Sequence, residues 1–285
     1  MTEIKKCLLP VAGYGTRFLP VTKTVPKELL PVLSKPLLEY AIEEAIPSGV
    51  KEFSLILSDS KQAIKDYLSP KNELIDFLEE KGKLVAVETI NKIIDTCKFN
   101  FVYQSKMLGL GHAILQGRES IGNEKFAVIL PDDLCDSAST SVLEQMINIS
   151  NKYPDKCIVA IEEVDPLEVN KYGVISGSLL KNEKSVYVVT DMVEKPDVND
   201  TPSNLAIIGR YILIPEIFEI LDSTKPDFRG EIQITDALKV LAKKKKVLAY
   251  SFDGLRLDCG SVEGFIKANN YFFKKIIKKS NSNIS

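Results

Sequence analysis

Glycines and cationic side chains cluster near the start of the chain in a pattern typical of a polyphosphate site. An apolar run over residues 7–11 predicts a buried strand, and Gly13 and Gly15 follow it. Glycine allows backbone conformations and close approaches that a Cβ would block, so successive N–H groups can face an anion. Arg17 and Lys27 add positive charge to the same stretch. A tight turn flanked by solvated cations is the alternative interpretation, because glycine-rich turns after strands are common.

This loop matches neither of two common phosphate-binding motifs. The dinucleotide motif needs a third glycine where this chain has Phe18. The Walker A motif needs Gly-Lys-Ser/Thr at the start of a helix, whereas Lys27 follows Pro26. Pro20, Pro26 and Pro31 argue against a helix directly after the glycines. The sequence therefore predicts an extended loop, held by prolines, that faces phosphate groups.

Carboxylates and a lysine elsewhere in the chain could complete such a site. Asp132 follows a predicted strand and a proline, where a carboxylate can hold Mg²⁺ over the loop. It could equally be a turn or N-cap residue, and Asp258, the candidate second ligand, is a weak signal by itself. Glu194 and Lys195 suit a sugar phosphate, since a carboxylate accepts bonds from hydroxyls and an ammonium binds phosphate. A surface ion pair is the alternative interpretation of these two residues.

Four further residues could lie near a base or a sugar. Gly173 would let a sugar ring lie close to the backbone, or it marks a β-bulge. The Gln104 amide can pair with a pyrimidine edge, and Gly109 would let a base lie flat on the backbone. His112, the only histidine in the sequence, is expected to hydrogen-bond locally rather than to act in catalysis. One histidine excludes a multi-histidine metal site and favours Mg²⁺ held by carboxylates and phosphate oxygens.

Composition limits the class of protein. The 285 residues are enough for one large α/β domain or for a domain with a sizeable insertion. The chain is 45% hydrophobic and 27% charged, which is ordinary for a globular protein. A formal net charge of −2 gives no support to nucleic-acid binding through bulk electrostatics. Any anion site must therefore be local.

Cysteine usage and hydropathy bear on the compartment. The five cysteines form no C-x-x-C pair and stand in apolar contexts, which predicts free thiols in a reducing, cytoplasmic environment. A signal peptide is not expected, because few apolar residues separate Lys6 from Gly13. A membrane span is not expected either, since no apolar run approaches ~20 residues.

The first half of the chain alternates short β-branched runs with helical patterns. A helix is predicted from Pro36 to a stop at Gly49. Further helices are predicted over residues 61–68, 72–81 and 111–121, and strands over residues 53–57, 99–103 and 126–130. This alternation is typical of βαβ units in a Rossmann-like, doubly wound α/β sheet. The polar breaks at Gly13, Gln104 and Asp132 should then share one edge of the sheet.

The second half contains more strands and fewer helices. Strands are predicted over residues 157–164, 172–176, 186–194, 205–214 and 247–252. Helices are predicted over residues 215–221, 232–243 and 262–278. The strands suggest an antiparallel or mixed section that lies over the sheet edge. Residues 281–285 are expected to form a disordered tail.

Several motifs together carry a family resemblance. They occur in order from about residue 5 to residue 265 and read PVAGYGTRFLPVTKTVPKELLPV, GLGHA, VILPDD, YGVI, VEKP, SNLAIIGRY, GEIQITDA and LDCG. On these motifs the chain resembles the sugar-phosphate nucleotidylyltransferase family. GLGHA, SNLAIIGRY and GEIQITDA together are similar to its uridylyl branch rather than its thymidylyl branch. One departure is Val262, where relatives often carry a lysine.

The resemblance implies the fold and the domain organisation. The implied fold is a Rossmann-like, doubly wound mixed sheet of the nucleotide-diphospho-sugar transferase type, with a smaller β-rich sugar-binding section and a C-terminal helix. It implies a single nucleotidyltransferase domain over residues 1–280. Within that domain, about residues 1–150 form the nucleotide-binding part, 151–260 the sugar-phosphate-binding part and 261–280 the C-terminal helix.

The resemblance also implies roles for residues on the nucleotide side of the site. The base should be held by Ala12, Gly13, Gln104 and Gly109. Glu28 should contact the nucleoside or order the loop.

Phosphate, metal and sugar contacts are implied in the same way. The triphosphate should lie against Gly15 and be bound by Arg17 and Lys27. Mg²⁺ should be bound by Asp132, with Asp258 as the second ligand. The sugar phosphate should be bound by Gly173, Glu194 and Lys195, with Asn204 supporting the sugar end.

The implied reaction joins UTP to glucose 1-phosphate and yields UDP-glucose and pyrophosphate, with Mg²⁺, in a homodimer or homotetramer. No general base is needed, because the attacking phosphate oxygen is already ionised at neutral pH. Thymidylyl transfer on the same scaffold is one alternative, since a single methyl separates the two bases. A non-catalytic nucleotide-sugar sensor is another, and a Rossmann dehydrogenase is disfavoured by Phe18.

Overall fold

The computed structural model of this protein describes residues 3–70 and 72–282. Its strands are β1 (Lys6–Pro10), β2 (Pro31–Val32), β3 (Lys35–Pro36), β4 (Glu52–Leu57), β5 (Lys98–Tyr103), β6 (Phe126–Ile129), β7 (Asp133–Asp136), β8 (Cys157–Glu163), β9 (Gly173–Leu179), β10 (Val186–Glu194), β11 (Leu205–Leu213), β12 (Val247–Ser251) and β13 (Leu255–Asp258). Its α-helices are α1 (Leu37–Ala45), α2 (Gln62–Tyr67), α3 (Glu73–Glu80), α4 (Leu84–Thr96), α5 (Gly109–Gln116), α6 (Arg118–Ile121), α7 (Val142–Lys152), α8 (Glu216–Ser223), α9 (Ile234–Lys243) and α10 (Val262–Ser282). Short 3-10 helices lie at Thr16–Phe18, Val21–Lys23, Lys27–Leu29, Ile46–Ser48 and Pro166–Lys171.

Nine of these strands form one mixed sheet in the order β5-β4-β1-β6-β11-β8-β12-β10-β9. β1 pairs in parallel with β4 and β6, and β4 pairs in parallel with β5. Leu8 and Leu9 of β1 pack into different hydrophobic clusters, because successive strand residues point to opposite faces. The carboxyl ends of these four strands meet at one edge, which confirms the doubly wound α/β prediction.

Helix α1 follows its sequence signals closely. Pro36 directly precedes it, and Leu38, Ala41 and Ile42 are buried against the sheet. Gly49 ends the helical stretch in the left-handed region with φ +91°, a conformation that glycine adopts without strain. The predicted stop at Gly49 is therefore confirmed.

Most strands of the second half extend the sheet, so the prediction that they lie over its edge is wrong for them. β11 pairs antiparallel with both β6 and β8, and β12 pairs in parallel with β8. The hairpin of β9 and β10 joins β12 and then turns back, since Val174 of β9 pairs with Ala206 of β11. Burial runs without alternation along β8 and β11. Such runs are typical of central strands, and periodicity by itself does not identify them.

The sequence predictions omitted α4, α7 and β7. Helix α7 begins after Ser141, whose Oγ accepts a bond from the Glu144 N–H at 3.2 Å. This is the first half of an S-x-x-E capping box, so the signal was present in the sequence. Strand β7 pairs antiparallel with β13, with Asp133 opposite Asp258. No local pattern indicates β7, because its partner is distant in sequence.

The C-terminal helix is longer than predicted. Helix α10 runs to Ser282, whereas the pattern predicted an end at residue 278. Of the expected tail, residues 283–285 lie outside the described part of the chain. Within residues 3–70 and 72–282, no helix combines the length and the hydropathy needed to cross a membrane.

A buried ion pair supports the backbone beneath the shared edge. Arg210 of β11 is 0% exposed, and its Nη2 donates to Glu44 Oε2 of α1 at 2.7 Å. Its Nη1 donates to the carbonyls of Leu130 and Gly209 at 3.3 and 3.0 Å. Leu130 lies two residues before Asp132. Arg210 therefore fixes the backbone just before this candidate metal ligand.

Replacing one member of this pair should destabilise the fold more than replacing both. Arg210→Leu should lower the free energy of unfolding by about 3–5 kcal/mol, because Glu44 keeps a buried charge without its partner. The double variant Arg210→Leu/Glu44→Leu removes both charges and should recover part of that loss. Urea denaturation measures all three proteins. A double variant less stable than Arg210→Leu would contradict this account.

Candidate active site

The glycine loop after β1 folds back on itself instead of starting a helix. Gly15 has φ +65°, and a Cβ built on it would lie 3.1 Å from both Lys27 Cβ and Thr22 Cγ2. Thr22 Oγ1 donates to the Gly15 carbonyl at 2.8 Å. Gly15 is therefore required both for the left-handed turn and for close packing of Lys27. This conformation keeps Lys27 beside the glycines rather than on an outgoing helix.

Lys27 contacts Asp132 across the edge of the sheet. Lys27 Nζ donates to Asp132 Oδ2 at 2.6 Å, and the two side chains are 22% and 21% exposed. Burial by itself would raise the pKa of Asp132, but the charge and hydrogen bond of Lys27 outweigh it and hold that pKa below its usual value. Burial likewise opposes the charge of Lys27, yet Asp132 and Glu28 raise the pKa of its ammonium. Both groups are therefore ionised at neutral pH.

Glu28 lies directly behind this pair. It is 1% exposed, and its Oε2 accepts a bond from Lys61 Nζ at 2.7 Å. Burial raises the pKa of Glu28, against the opposing charges of Lys61 and Lys27. Its second oxygen, Oε1, is buried without a hydrogen-bond partner in the described chain. Such an atom in a binding site points to a donor that a ligand supplies.

Asp258 joins Asp132 at the same edge through the pairing of β7 with β13. The Cys259 N–H donates to the Asp132 carbonyl at 2.7 Å, and the Gly260 N–H donates to Asp258 Oδ1 at 2.9 Å. A Cβ built on Gly260 would lie 3.0 Å from Asp258 Oδ1, 3.2 Å from Arg17 Nη1 and 3.4 Å from Asp132 Oδ2. Gly260 thus leaves open a small space bounded by two carboxylates and a guanidinium.

This donor set fits a hard divalent cation that completes its shell with substrate oxygens. The Asp132 and Asp258 carboxylates are oxygen ligands of the kind that Mg²⁺ prefers. No group of three metal-ligating side chains occurs in the described residues, and Mg²⁺ commonly uses one or two carboxylates plus phosphates. Asp133, the neighbouring aspartate, does not contribute, because its Oδ2 accepts from the Gly209 N–H at 2.8 Å.

Arg256 organises the acidic side of the site, and the sequence predictions missed it. Its Nε lies 2.5 Å from Asp133 Oδ1, and its Nη2 lies 3.4 Å from Asp258 Oδ2. Its guanidinium also stands 4.8 Å above the Tyr172 ring, whose hydroxyl donates to Asp258 Oδ2 at 3.3 Å. The available signal was the position of Arg256 two residues before Asp258 in LRLDCG.

The hairpin of β9 and β10 brings Gly173 beside Glu194. A Cβ on Gly173 would lie 3.1 Å from Glu194 Oε2 and 3.1 Å from Thr235 Oγ1. Thr235 Oγ1 donates to Glu194 Oε2 at 2.6 Å, and Lys195 Nζ lies 3.3 Å from Glu194 Oε1. Glu194 is thus held from both sides, and the missing Cβ at Gly173 leaves room next to it. Thr235 is a second residue that sequence reasoning missed, although it lies within the GEIQITDA motif.

Lys195 has an unusual backbone conformation. Its φ of +46° is in the left-handed region, which costs a non-glycine residue about 1 kcal/mol. Its N–H donates to the Tyr172 carbonyl at 2.9 Å. The side-chain hydroxyl of Tyr172 contacts Asp258. The Lys195 backbone is therefore tied to the same tyrosine that contacts the acidic side of the site.

Asn204 directly precedes β11. Its Nδ2 donates to Glu163 Oε1 at 3.0 Å and to the Val164 carbonyl at 3.4 Å. These contacts join the ends of β8 and β11, and the sugar-side role of Asn204 stays a prediction.

Gln104 and Gly109 lie near one another after β5. Gly109 has φ +91°, and a Cβ there would approach Glu231 Cβ to 2.9 Å. The Gly111 N–H donates to the Ile232 carbonyl at 2.8 Å, so the GLGHA and GEIQITDA motifs are in contact. Gln104 is 2% exposed, and its Nε2 donates to the Gly109 carbonyl at 3.3 Å.

The structure brings most of the predicted site residues together in three groups along one edge. Arg17, Lys27, Asp132 and Asp258 form the central group. Gly173, Glu194 and Lys195 form the second. Gln104 and Gly109 form the third. Ala12 and Gly13 continue β1 into the loop, and a Cβ on Gly13 would lie 4.0 Å from Lys27 Cε.

This fold and this cluster of charges define a nucleotidyltransferase, and similarity to known proteins agrees. The family model described as Nucleotidyl transferase matches residues 6–275. The chain is 50% identical over 277 residues to the UTP–glucose-1-phosphate uridylyltransferase of Pseudomonas aeruginosa, a match that covers 96% of this chain and 98% of that protein. The chain belongs to the nucleotidyl transferase family, and the resemblance drawn from its motifs is confirmed.

Solved structures point to the same family. A UDP-glucose pyrophosphorylase complexed with UDP-glucose superposes with a TM-score of 0.88 at 54% identity, covering 95% of this chain and 99% of that one. A UTP-bound enzyme of this type from Acinetobacter baumannii superposes with a TM-score of 0.87 at 36% identity, covering 96% and 98% of the two chains. The predicted mixed-sheet fold is therefore confirmed.

Removing Lys27 should destabilise the protein in a pH-dependent way. In the wild type, the lowered pKa of Asp132 means that the pair stabilises the fold fully above the unfolded value of about 3.9 and loses that effect as pH falls through the lower folded pKa. In Lys27→Met, only a backbone hydrogen bond and the charge of Arg17 remain to oppose the effect of burial, so the pKa of Asp132 should rise. The free energy of unfolding should fall by about 1–3 kcal/mol at pH 7 and by less near pH 4. Urea denaturation at both pH values measures this.

Lys23→Met is the matched control, because Lys23 is an exposed lysine of the same loop. It should change stability little at either pH. Equal losses for Lys27→Met at pH 7 and pH 4 would show that Asp132 does not carry the effect.

Proposed function

We propose that this protein catalyses the formation of UDP-glucose and pyrophosphate from UTP and glucose 1-phosphate. Near-full-length similarity to UTP–glucose-1-phosphate uridylyltransferases carries this proposal. The charged groups gathered at one edge of the sheet supply the chemistry that it needs.

The reaction is a direct phosphoryl displacement. An ionised phosphate oxygen of glucose 1-phosphate forms a bond to the α-phosphorus of UTP. The bond between the α-phosphorus and the oxygen bridging to the β-phosphate breaks, and pyrophosphate leaves with that electron pair. No proton has to be removed from the nucleophile, because the second pKa of a phosphate monoester is about 6. The protein therefore has to bring two anions into line and to neutralise charge on the leaving group.

The central group of residues binds the triphosphate and the metal. Arg17 and Lys27 bind the phosphates of UTP beside the Gly15 turn. Asp132 and Asp258 hold Mg²⁺, whose charge, when it is bound, offsets that of the phosphates and lowers the barrier to displacement. Asp132 suits this role because Lys27 keeps its pKa low, so the carboxylate is ionised before any metal arrives.

The base lies against the backbone of Ala12 and Gly13, between Gln104 and Gly109. Glu28 supports this region through its buried pair with Lys61, and its orphaned Oε1 accepts a bond from the nucleoside. On the other side, Gly173 and Glu194 bind the glucose hydroxyls and Lys195 binds the sugar phosphate. Asn204 supports the sugar end of this region.

Compartment and assembly follow from the same proposal. All five cysteines are free thiols, which suits the reducing cytoplasm.

Ile266, Phe273 and Ile277 of α10 are 54%, 56% and 43% exposed and form an apolar stripe. A second copy of the chain would bury that stripe in a homodimer or homotetramer.

Pyrophosphate release from five nucleoside triphosphates, each with glucose 1-phosphate and with or without EDTA, tests the proposed function. UTP should be preferred, and EDTA should abolish turnover. The thymidylyl alternative stays open, because the one methyl group that distinguishes the two bases is worth only about 1–3 kcal/mol of binding free energy. A clear preference for dTTP would favour that alternative. Tight UDP-glucose binding without turnover of any nucleotide would instead favour a nucleotide-sugar sensor.

Lys195→Ala should lower kcat by about 10²–10³ and leave UTP binding unchanged, because its proposed partner is the sugar phosphate. Alanine pays the same left-handed backbone cost as lysine, so the variant isolates the ammonium. Steady-state kinetics and UTP titration calorimetry provide the measurement. Lys181→Ala, at the exposed far end of the same hairpin, is the control and should match the wild type. An unaltered kcat in Lys195→Ala would remove Lys195 from the mechanism.

Asp132→Asn should weaken metal dependence and rate together. The Mg²⁺ concentration for half-maximal rate should rise, and kcat should fall by about 10²-fold or more. Rates measured across a Mg²⁺ titration test both effects. Asp253→Asn changes an exposed aspartate near β13 and should leave the titration unchanged. A wild-type Mg²⁺ titration in Asp132→Asn would contradict the assignment of this ligand.

A further inference from the structure

The proposed reaction gives no role to His112, although its ring contacts two amide side chains. Its Nδ1 lies 2.8 Å from Gln104 Nε2, and its Nε2 lies 3.2 Å from Gln116 Nε2. Gln116 follows one turn later on α5, so it meets the far side of the ring. The three side chains form a chain that ends at the proposed base site.

The orientation of the Gln104 amide is fixed by a backbone group. Gln104 Nε2 lies 3.3 Å from the Gly109 carbonyl, which can only accept a hydrogen bond. The amide nitrogen must therefore face that side, and its second N–H points to His112 Nδ1. The ring has to accept at Nδ1, so the neutral imidazole carries its proton on Nε2. Burial lowers the pKa of His112, which keeps the ring neutral at pH 7.

Gln116 completes the arrangement on the other side of the ring. The His112 Nε2–H is a donor, and two donors cannot share one hydrogen bond. A ring with one proton cannot accept at both nitrogens either. The tautomer set by Gln104 therefore requires the Gln116 amide to place its oxygen, rather than the Nε2 found at 3.2 Å, toward His112 Nε2, where it can accept a hydrogen bond.

One polar atom of Gln104 remains for a ligand. Both N–H groups of its amide are used, by the Gly109 carbonyl and by His112. None of the side-chain hydrogen bonds found in the described parts of the chain involves its Oε1. The residue as a whole is 2% exposed, and Oε1 is not among the fully buried atoms that lack a partner, so this oxygen is a fixed acceptor that a ligand can reach. An acceptor that cannot reorient selects strongly for a ligand that donates.

We propose that His112 is a positioning residue that, with Gln116, holds the Gln104 amide so that its acceptor faces the base. This inference rests on the proposed function, in which Gln104 contacts the base. Uracil and thymine both present an N–H at N3, which Gln104 Oε1 accepts. Cytosine presents an unprotonated N3, which would face that oxygen as a second acceptor. His112 therefore sets discrimination against CTP without affecting the choice between UTP and dTTP.

Kinetics with three nucleotides test this role. His112→Leu leaves only the long bond to Gly109 to orient the amide. The ratio of kcat/KM for UTP to that for CTP should fall about 10- to 100-fold. The ratio of UTP to dTTP should stay at its wild-type value, because the two bases share the same N3–H edge. A general collapse of the base site would move both ratios, and this outcome would contradict the proposal.

His112→Asn is the conservative variant. Its Oδ1 can take the place of Nδ1 as an acceptor for Gln104, so it should restore most of the discrimination against CTP. Loss of discrimination in His112→Asn equal to that in His112→Leu would contradict a role through hydrogen-bond acceptance. Thermal melts of both variants establish that each is folded before kinetics are compared.

Nuclear magnetic resonance of the wild-type protein tests the inference independently of turnover. The sequence contains one histidine, so the ¹⁵N signals of its imidazole are assigned without ambiguity. The neutral ring should carry its proton on Nε2, and Gln116→Leu should weaken that preference. A ring protonated on Nδ1 would overturn the inference. Absence of UTP turnover in the wild type would defeat the proposed function and leave this spectroscopic test standing.

Discussion

The ion pair of Lys27 and Asp132 is the contact on which the site depends. It joins the glycine loop after β1 to the break after β6, two segments that are distant in sequence. The pair forms because Gly15 turns the loop back toward the sheet and because Arg210 holds the Leu130 carbonyl just before Asp132. Each carboxylate or ammonium would by itself resist burial at this edge, and pairing keeps both ionised. The protein thus presents fixed charges of both signs to a polyanionic substrate.

Electrostatic balance extends from this pair across the edge. Asp133, Glu162 and Asp258 would repel one another, and Arg256 lies among all three. Arg256 pairs with Asp133 and Glu162. The carboxylates that border the open space at Gly260 are those of Asp132 and Asp258. Arg256 is 7% exposed, so its charge acts in a poorly solvated environment where such interactions are strong. This arrangement gives the proposed metal and phosphate site a framework of paired charged side chains.

Local signals in the sequence predicted most helices and strands and the sheet edge that they share. They could not predict contacts between residues that are distant in sequence. Pro36 and Gly49 marked α1, and Gly13, Gln104 and Asp132 marked the ends of parallel strands, because these signals operate within a few residues. The contacts of Arg256 and of Thr235 with the site depend on pairings across β7–β13 and β10–α9, which no spacing reveals. The burial of Glu28 against Lys61 likewise needs the fold. Helix α7 differs from these cases, because the S-x-x-E capping pattern at Ser141 is a local signal that could have predicted it.

The central claim is that the sugar phosphate displaces pyrophosphate directly, with no covalent nucleotidyl intermediate on the protein. In the described chain the site gathers cations and carboxylates, and each cysteine is buried or only partly exposed. The most direct test uses UTP made chiral at the α-phosphorus by a sulfur substitution, and it follows the configuration in the UDP-glucose product. One in-line displacement predicts inversion at the α-phosphorus. Retention would require two displacements through an enzyme-bound intermediate and would contradict the account.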